Sequence, residues 1–200
     1  MNTTTVRPAS TYPRAGEVRF VDVPSRRFFM VDGTGVPEES EAFKDAMGAL
    51  YGLAYTLHFD LKRRGVDAGV GAIEGLWASG PGDLLLLDEG DRGDWRWTLL
   101  LPIPEAATGD DIAAATAELR RKKNPPALGL VRVEELAEGT SAEILHVGPY
   151  DAERPTIERL HAAIAEAGRR PRGRHHEIYL GDPRRAAPEK LKTVIRQPVE

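Results

Sequence analysis

An imidazole, a carboxylate and a phenol recur at alternate positions near the end of the chain, as His175, Glu177 and Tyr179. In an extended segment successive side chains point to opposite faces, so these three share one face and His176, Ile178 and Leu180 the other. Glu177 and Tyr179 then stand roughly 7 Å apart along the strand. A carboxylate buried among aromatic rings has a raised pKa, because desolvation disfavours its charge. Such a group serves either as a general base near neutral pH or as the counter-ion of a cationic ligand. Ile178 and Leu180 suit a core, which leaves Glu177 and Tyr179 on the opposite, open face.

Other chemistries lack their residues. His176 points away from Glu177, and no third ligand has the spacing to complete a metal site with His175 and Glu177. Gly33-Thr34-Gly35 lacks the further glycine and lysine of a phosphate loop. The chain has no cysteine, which excludes disulfides and thiolate catalysis and fits a cytoplasmic protein. No G-x-S-x-G elbow offers an acyl-transfer serine. Neither a metal nor a cofactor is expected. A net charge of -4 over 200 residues argues against nucleic acid as a direct partner. The apolar runs are far too short to cross a bilayer, so no membrane association is expected. Oligomeric state leaves no mark in the sequence.

The elements that position these residues read in order. Residues 1–16 form an extended arm, followed by strands at 18–21 and 27–31. Ser40 caps a long amphipathic helix in which Phe43, Met47, Leu50, Ala54, Leu57 and Leu61 recur at spacings of three and four. Tyr51, Tyr55 and Phe59 form a second stripe beside them, either as extra core or as the border of a pocket. Strands follow at 69–78 and 94–101, the second with Trp95, Trp97, Leu99 and Leu101 on one face. A capping box at Thr108 and Asp111 opens a connecting helix over 109–123. Strands at 128–136 and 142–147 come next, then a helix capped by Asp151, a strand from His175, and a last strand after Lys190.

The two halves, about 17–104 and 128–199, match in order: strand pair, helix, carboxylate-bearing strand, and a strand ending at proline. Such units pair edge to edge into one antiparallel sheet with helices on one face. The match sets EGLW beside EIYL and so places Glu74 and Glu177 at equivalent positions, facing one shared groove.

VDVPSRRFFMVDGTG, SEAFKDAMGALYGLAYTL, EGLW, DWRWTL, ILHVGPY and RGRHHEIYLGDPRRAAPEKLKTVIRQPV occur in this order across nearly the whole chain beyond the arm. Together they resemble the GyrI-like small-molecule-binding proteins, and more specifically their stand-alone members. The resemblance implies a single α+β domain over 17–200, made of two pseudo-symmetric strand-helix-strand-strand modules in one antiparallel sheet. It implies a central pocket for planar or amphipathic, often cationic compounds, with a buried glutamate that maps to Glu177 and a pocket-lining neighbour at Tyr179. A similar subfamily acts as cyclopropanoid cyclopropyl hydrolases, which add water across the strained ring of DNA-alkylating compounds within an aromatic cage. Here Tyr55, Trp77, Trp97, Tyr150 and Tyr179 are the cage candidates, with Trp95 a substitute for Trp97. Glu177 is then the expected base, Tyr179 its hydrogen-bond partner and Glu74 a second carboxylate. Because a buried charge weakens a fold, Glu177→Gln should be neutral or stabilising. The alternative is a binding module that sequesters planar cations, or inhibits a protein partner such as DNA gyrase, without chemistry.

Overall fold

The computed structural model describes residues 12–79 and 95–200. In chain order the elements are β1 (Arg19–Val23), β2 (Arg26–Thr34), α1 (Glu41–Arg63), β3 (Glu74–Ala78), β4 (Arg96–Pro102), α2 (Gly109–Lys122), β5 (Arg132–Leu136), β6 (Gly139–Val147), α3 (Arg154–Glu166), β7 (His175–Tyr179) and β8 (Lys192–Pro198). All eight strands join one antiparallel sheet in the order β1-β6-β8-β7-β3-β4-β2-β5. The α+β architecture expected from the sequence is the one that forms. Its halves are not self-contained, however. β1 crosses over to pair with β6 of the second half, and β5 crosses back to pair with β2 of the first.

Local signals account for most boundaries. Ser40 Oγ accepts the Phe43 N–H at 3.1 Å and starts α1. Thr108 and Asp111 close a reciprocal capping box at the head of α2. Three expectations shift. The strand expected over 69–78 begins only at Glu74, after a stretch holding two glycines. The strand expected from 128 begins at Arg132, because Pro125 and Pro126 open a 3-10 turn, Pro126–Leu130. Asp151 lies in a short 3-10 turn, Tyr150–Ala152, and the N-cap of α3 is Glu153. Asp94 and the first eleven residues of the arm lie outside the described residues.

Both α1 and α3 lie on the same sheet face. Leu50, Leu53 and Leu57 of α1 pack on Phe29, Val31, Trp77, Trp97, Leu99 and Leu101. Ile157, Leu160 and Ile164 of α3 pack on Ala142, Ile144 and Ile195. Phe28, Met30, Leu76 and Leu100 form a smaller cluster on the other face. Among the described residues no helix is long and apolar enough to cross a membrane.

Trp97 belongs to this core. It is 1% exposed and meets Phe43 edge-on at 5.0 Å. It also occupies the space of an absent side chain, since a Cβ on Gly33 would lie 2.1 Å from its Cζ2. A cage role for Trp97 is therefore corrected to a packing role. Trp97→Ala is expected to lower unfolding free energy by about 3–5 kcal/mol, measured by chemical denaturation. An unchanged midpoint would contradict this assignment.

Candidate functional site

β3 lies antiparallel to β7 with Gly75 opposite Glu177 and Trp77 opposite His175. Directly paired residues share a face. His175, Glu177 and Tyr179 therefore join Gly75 and Trp77 beneath the helices, while Glu74 and Leu76 join His176 and Ile178 on the helix-free face. Two expectations are overturned together. Glu177 and Tyr179 do not lie on the open face, and Glu74 does not share their groove. Matching Glu74 to Glu177 was one residue out of register, and a slip of one reverses every face of a strand.

Gly75 opposes Glu177 for a steric reason. A Cβ there would lie 2.8 Å from the Trp77 Nε1. Its absence lets the indole lie back along the strand and donate from Nε1 to the Tyr179 hydroxyl at 3.1 Å. That hydroxyl donates in turn to Glu177 Oε2 at 2.5 Å. His175 Nε2 lies 3.0 Å from Oε1, and because an ionised carboxylate only accepts, Nε2 carries the proton. The Glu177 side chain is 13% exposed.

Glu153 completes the site, and sequence reasoning missed it. As N-cap of α3 it is 4% exposed, and it sits against Glu177 and within reach of the Thr193 hydroxyl on β8. Two adjacent buried carboxyls do not both ionise. Burial, and then the charge of Glu177, push Glu153 up to about 9. Burial also opposes the charge on Glu177, but hydrogen bonds from His175, Tyr179 and Glu153 outweigh it and hold Glu177 below the usual carboxylate range. The raised pKa expected of Glu177 thus belongs to Glu153. Pro155 was the available signal: proline favours the first helical turn, which places the cap just ahead of Arg154 instead of at Asp151.

The same donors reverse the stability expectation for Glu177. An amide would set an N–H group against N–H and O–H donors that a carboxylate satisfies. Glu177→Gln is therefore expected to cost about 1–3 kcal/mol.

The corner before α3 is held by His146, whose Nδ1 is 2.9 Å from Thr156 Oγ1 and whose Nε2 is 3.2 Å from the Pro149 carbonyl. This sets the Tyr150 ring edge-on to Tyr179 at 5.4 Å. Burial, with the nearby charges of Glu153 and Glu177, pushes the Tyr150 phenol up to about 12, so it remains a donor. Trp77 is flanked by Trp95 at 5.8 Å and Phe43 at 6.4 Å. The structure thus ties Trp77 and Tyr179 to Glu177 by hydrogen bonds, with Tyr150 edge-on to Tyr179 and Trp95 one ring further out, edge-on to Trp77. Tyr55 stacks on Tyr51 of α1 instead and is 48% exposed.

The GyrI-like small molecule binding domain matches residues 101–200. A conserved protein from Listeria innocua is 34% identical over 93% of both chains, with a TM-score of 0.83. This chain belongs to the GyrI-like family. A hydrolase from Listeria innocua is 32% identical over 94% of each chain, with a TM-score of 0.80. The C-terminal domain of EcmrR shares the fold alone, at 11% identity over 92% of this chain and 97% of that one, with a TM-score of 0.58. A search of curated proteins finds no match.

The other face of this GyrI-like domain carries an alternating chain of charges that includes Glu74. His176, with no exposed surface, sets Nε2 2.9 Å from Glu74 and Nδ1 2.9 Å from Glu138. Arg196 bridges Glu138 and Glu143 at 2.7 Å each, and Arg19 closes on Glu143 at 2.9 Å. Burial works against charge on His176, but Glu138 and Glu74 outweigh it and raise the imidazole to about 9. Glu74 is therefore an ion-pair partner of His176 on the face away from Glu177.

The two faces give one joint pH dependence. Folded Glu153 keeps a proton that the unfolded chain releases near pH 4.5, so stability falls as pH rises from there towards about 9. The slope from this one group is at most ~1.4 kcal/mol per pH unit. His176 stabilises fully below pH 6.5, and that contribution is lost as pH rises through about 9. Glu153→Gln keeps the neutral shape without the titration. It should flatten the decline between about pH 5 and 6.5 and leave only the His176 share between about 6.5 and 9, as read by denaturation at stepped pH. An unaltered slope in the lower window would show that Glu153 is not the titrating group.

Proposed function

We propose that this GyrI-like domain binds planar, electrophilic small molecules and hydrolyses a strained cyclopropane ring by adding water. The reading is carried by the carboxyl pair, in which Glu177 is ionised and its neighbour Glu153 is neutral, with the Tyr179 phenol bonded to Glu177 and the Tyr150 ring against it. Two carboxyls with divided pKa values hold a base and an acid ready at one pH. Water loses a proton to Glu177 while its oxygen forms the new bond to a ring carbon. The ring C–C bond breaks, and its electrons move to the electron-withdrawing group conjugated to it, which takes the proton held by Glu153. Transfer across the hydrogen bond between the two carboxyls restores the starting state. Trp77, Trp95, Tyr150 and Tyr179 clamp the flat part of the substrate and exclude bulk water. The 32% identical hydrolase from Listeria innocua supports the reaction class.

Sequestration without turnover is the second reading. It is favoured by the depressed Glu177 carboxyl, which keeps a fixed negative charge for a cation among ring faces. Glu177→Gln separates the two. Hydrolysis of a cyclopropane-bearing alkylator, followed by mass spectrometry as the gain of one water, should fall ~10²-fold or more. Binding of a neutral planar compound should survive. No turnover in the native protein, with a selective loss of cation affinity in the variant, would establish the sequestering role instead.

A further inference from the structure

Between α1 and α2 runs a groove of about 930 Å³, within the range of small-molecule sites. Along one wall the rings of Tyr51, Tyr55 and Phe59 stack in succession, with centroids 6.2 and 6.3 Å apart and planes 26° and 28° from parallel. Core packing accounts for Tyr51 but not for the rest of the ladder, since Tyr55 is 48% and Phe59 53% exposed. Ala114, Ala115 and Leu119 of α2 face it across the groove. Two glycines interrupt α1 on the same side. Gly52 has a packing reason, because a Cβ there would stand 3.2 Å from Leu119. Gly48 has none: a Cβ would meet nothing within 4 Å. Glycine inside a helix destabilises it relative to alanine, and what Gly48 provides in return is room in the groove it lines.

Asp60 and Glu118 on the rim are paired with Arg63 and Lys122, so the groove selects ring faces more than one sign of charge. Tyr51 lines the groove and lies within electrostatic reach of Tyr150, whose ring packs on Tyr179.

We propose that the Tyr51–Tyr55–Phe59 ladder is a second stacking subsite that takes the distal aromatic unit of an elongated polyaromatic ligand whose near unit lies at the Glu177 site. The near unit's placement rests on the function proposed above; the ladder's stacking does not. The test is fluorescence titration with a flexibly linked bis-acridine and with 9-aminoacridine. Phe59→Ala removes an exposed ring, and Gly48→Leu fills the groove while favouring the helix, so both variants should keep the native melting temperature. Bis-acridine affinity should fall ~10-fold in each, the loss expected for one stacked ring, and by more than 9-aminoacridine affinity falls. The Phe59→Ala loss should persist in a Glu177→Gln background. That persistence supports the subsite even if Glu177 itself proves inert, which would count only against the proposed reaction. Unchanged bis-acridine affinity in both variants overturns the subsite. So does sedimentation showing that Phe59→Ala dissolves a dimer, because the ladder is then a contact between copies of the chain.

Discussion

The four residue pairs that join β3 to β7, from Glu74 opposite Ile178 to Trp77 opposite His175, are the constraint on which the rest depends. This seam is where the strands of the two halves meet at the middle of the sheet. Its register decides which side chains enter the space under the helices and which face the other way. Gly75 makes that register workable, since only a missing side chain leaves room for the Trp77 indole. Through Trp77 the seam reaches Tyr179, and through Tyr179 it orients Glu177. A single steric concession thus sets the direction of a three-member hydrogen-bond relay.

The adjacent histidines of β7 show how differently the two faces treat charge. His176 lies between two carboxylates in an alternating chain that ends at Arg19, so each buried charge has an opposite neighbour. Such compensation is what permits ionised groups in an interior. His175 serves the other face, where Glu177 meets a second carboxyl as well as a donor. Like charges there are resolved by retaining one proton between them. The ion chain balances charge with opposite charge, whereas the carboxyl pair keeps one member neutral, with Glu153 pushed up to about 9. The proposed reaction rests on this divided pair.

Aromatic residues divide in the same way. Trp97 and Trp77 are opposite one another on β4 and β3, yet one is packing and the other part of the site. The difference is where the indole nitrogen points. Trp97 settles into the hollow over Gly33 and is closed by Phe43, whereas Trp77 turns its indole nitrogen towards Tyr179. The carboxyl pair sits where strands of both halves meet, beside the N-terminus of α3.

Much of this molecule was determined by the sequence alone. Period-two and period-3.6 patterns located the strands and helices, because burial on one face imposes those spacings locally. Ser40 and the Thr108–Asp111 box marked helix starts, since a cap is chosen by the few residues around it. The family resemblance pointed to Glu177 and Tyr179. Tertiary structure decided the rest. Which face of β7 is covered depends on pairing with β3, a contact about a hundred residues distant, and a one-residue ambiguity there inverts the answer. Glu153 reaches Glu177 only because α3 begins beside Thr193 of β8, and its raised pKa exists only in that burial. Glu74, sequestered by His176, and Trp97, sealed above Gly33, were likewise assigned by neighbours remote in the chain. Local chemistry selects residue types and periods; the identity of what lies opposite is a property of the folded sheet.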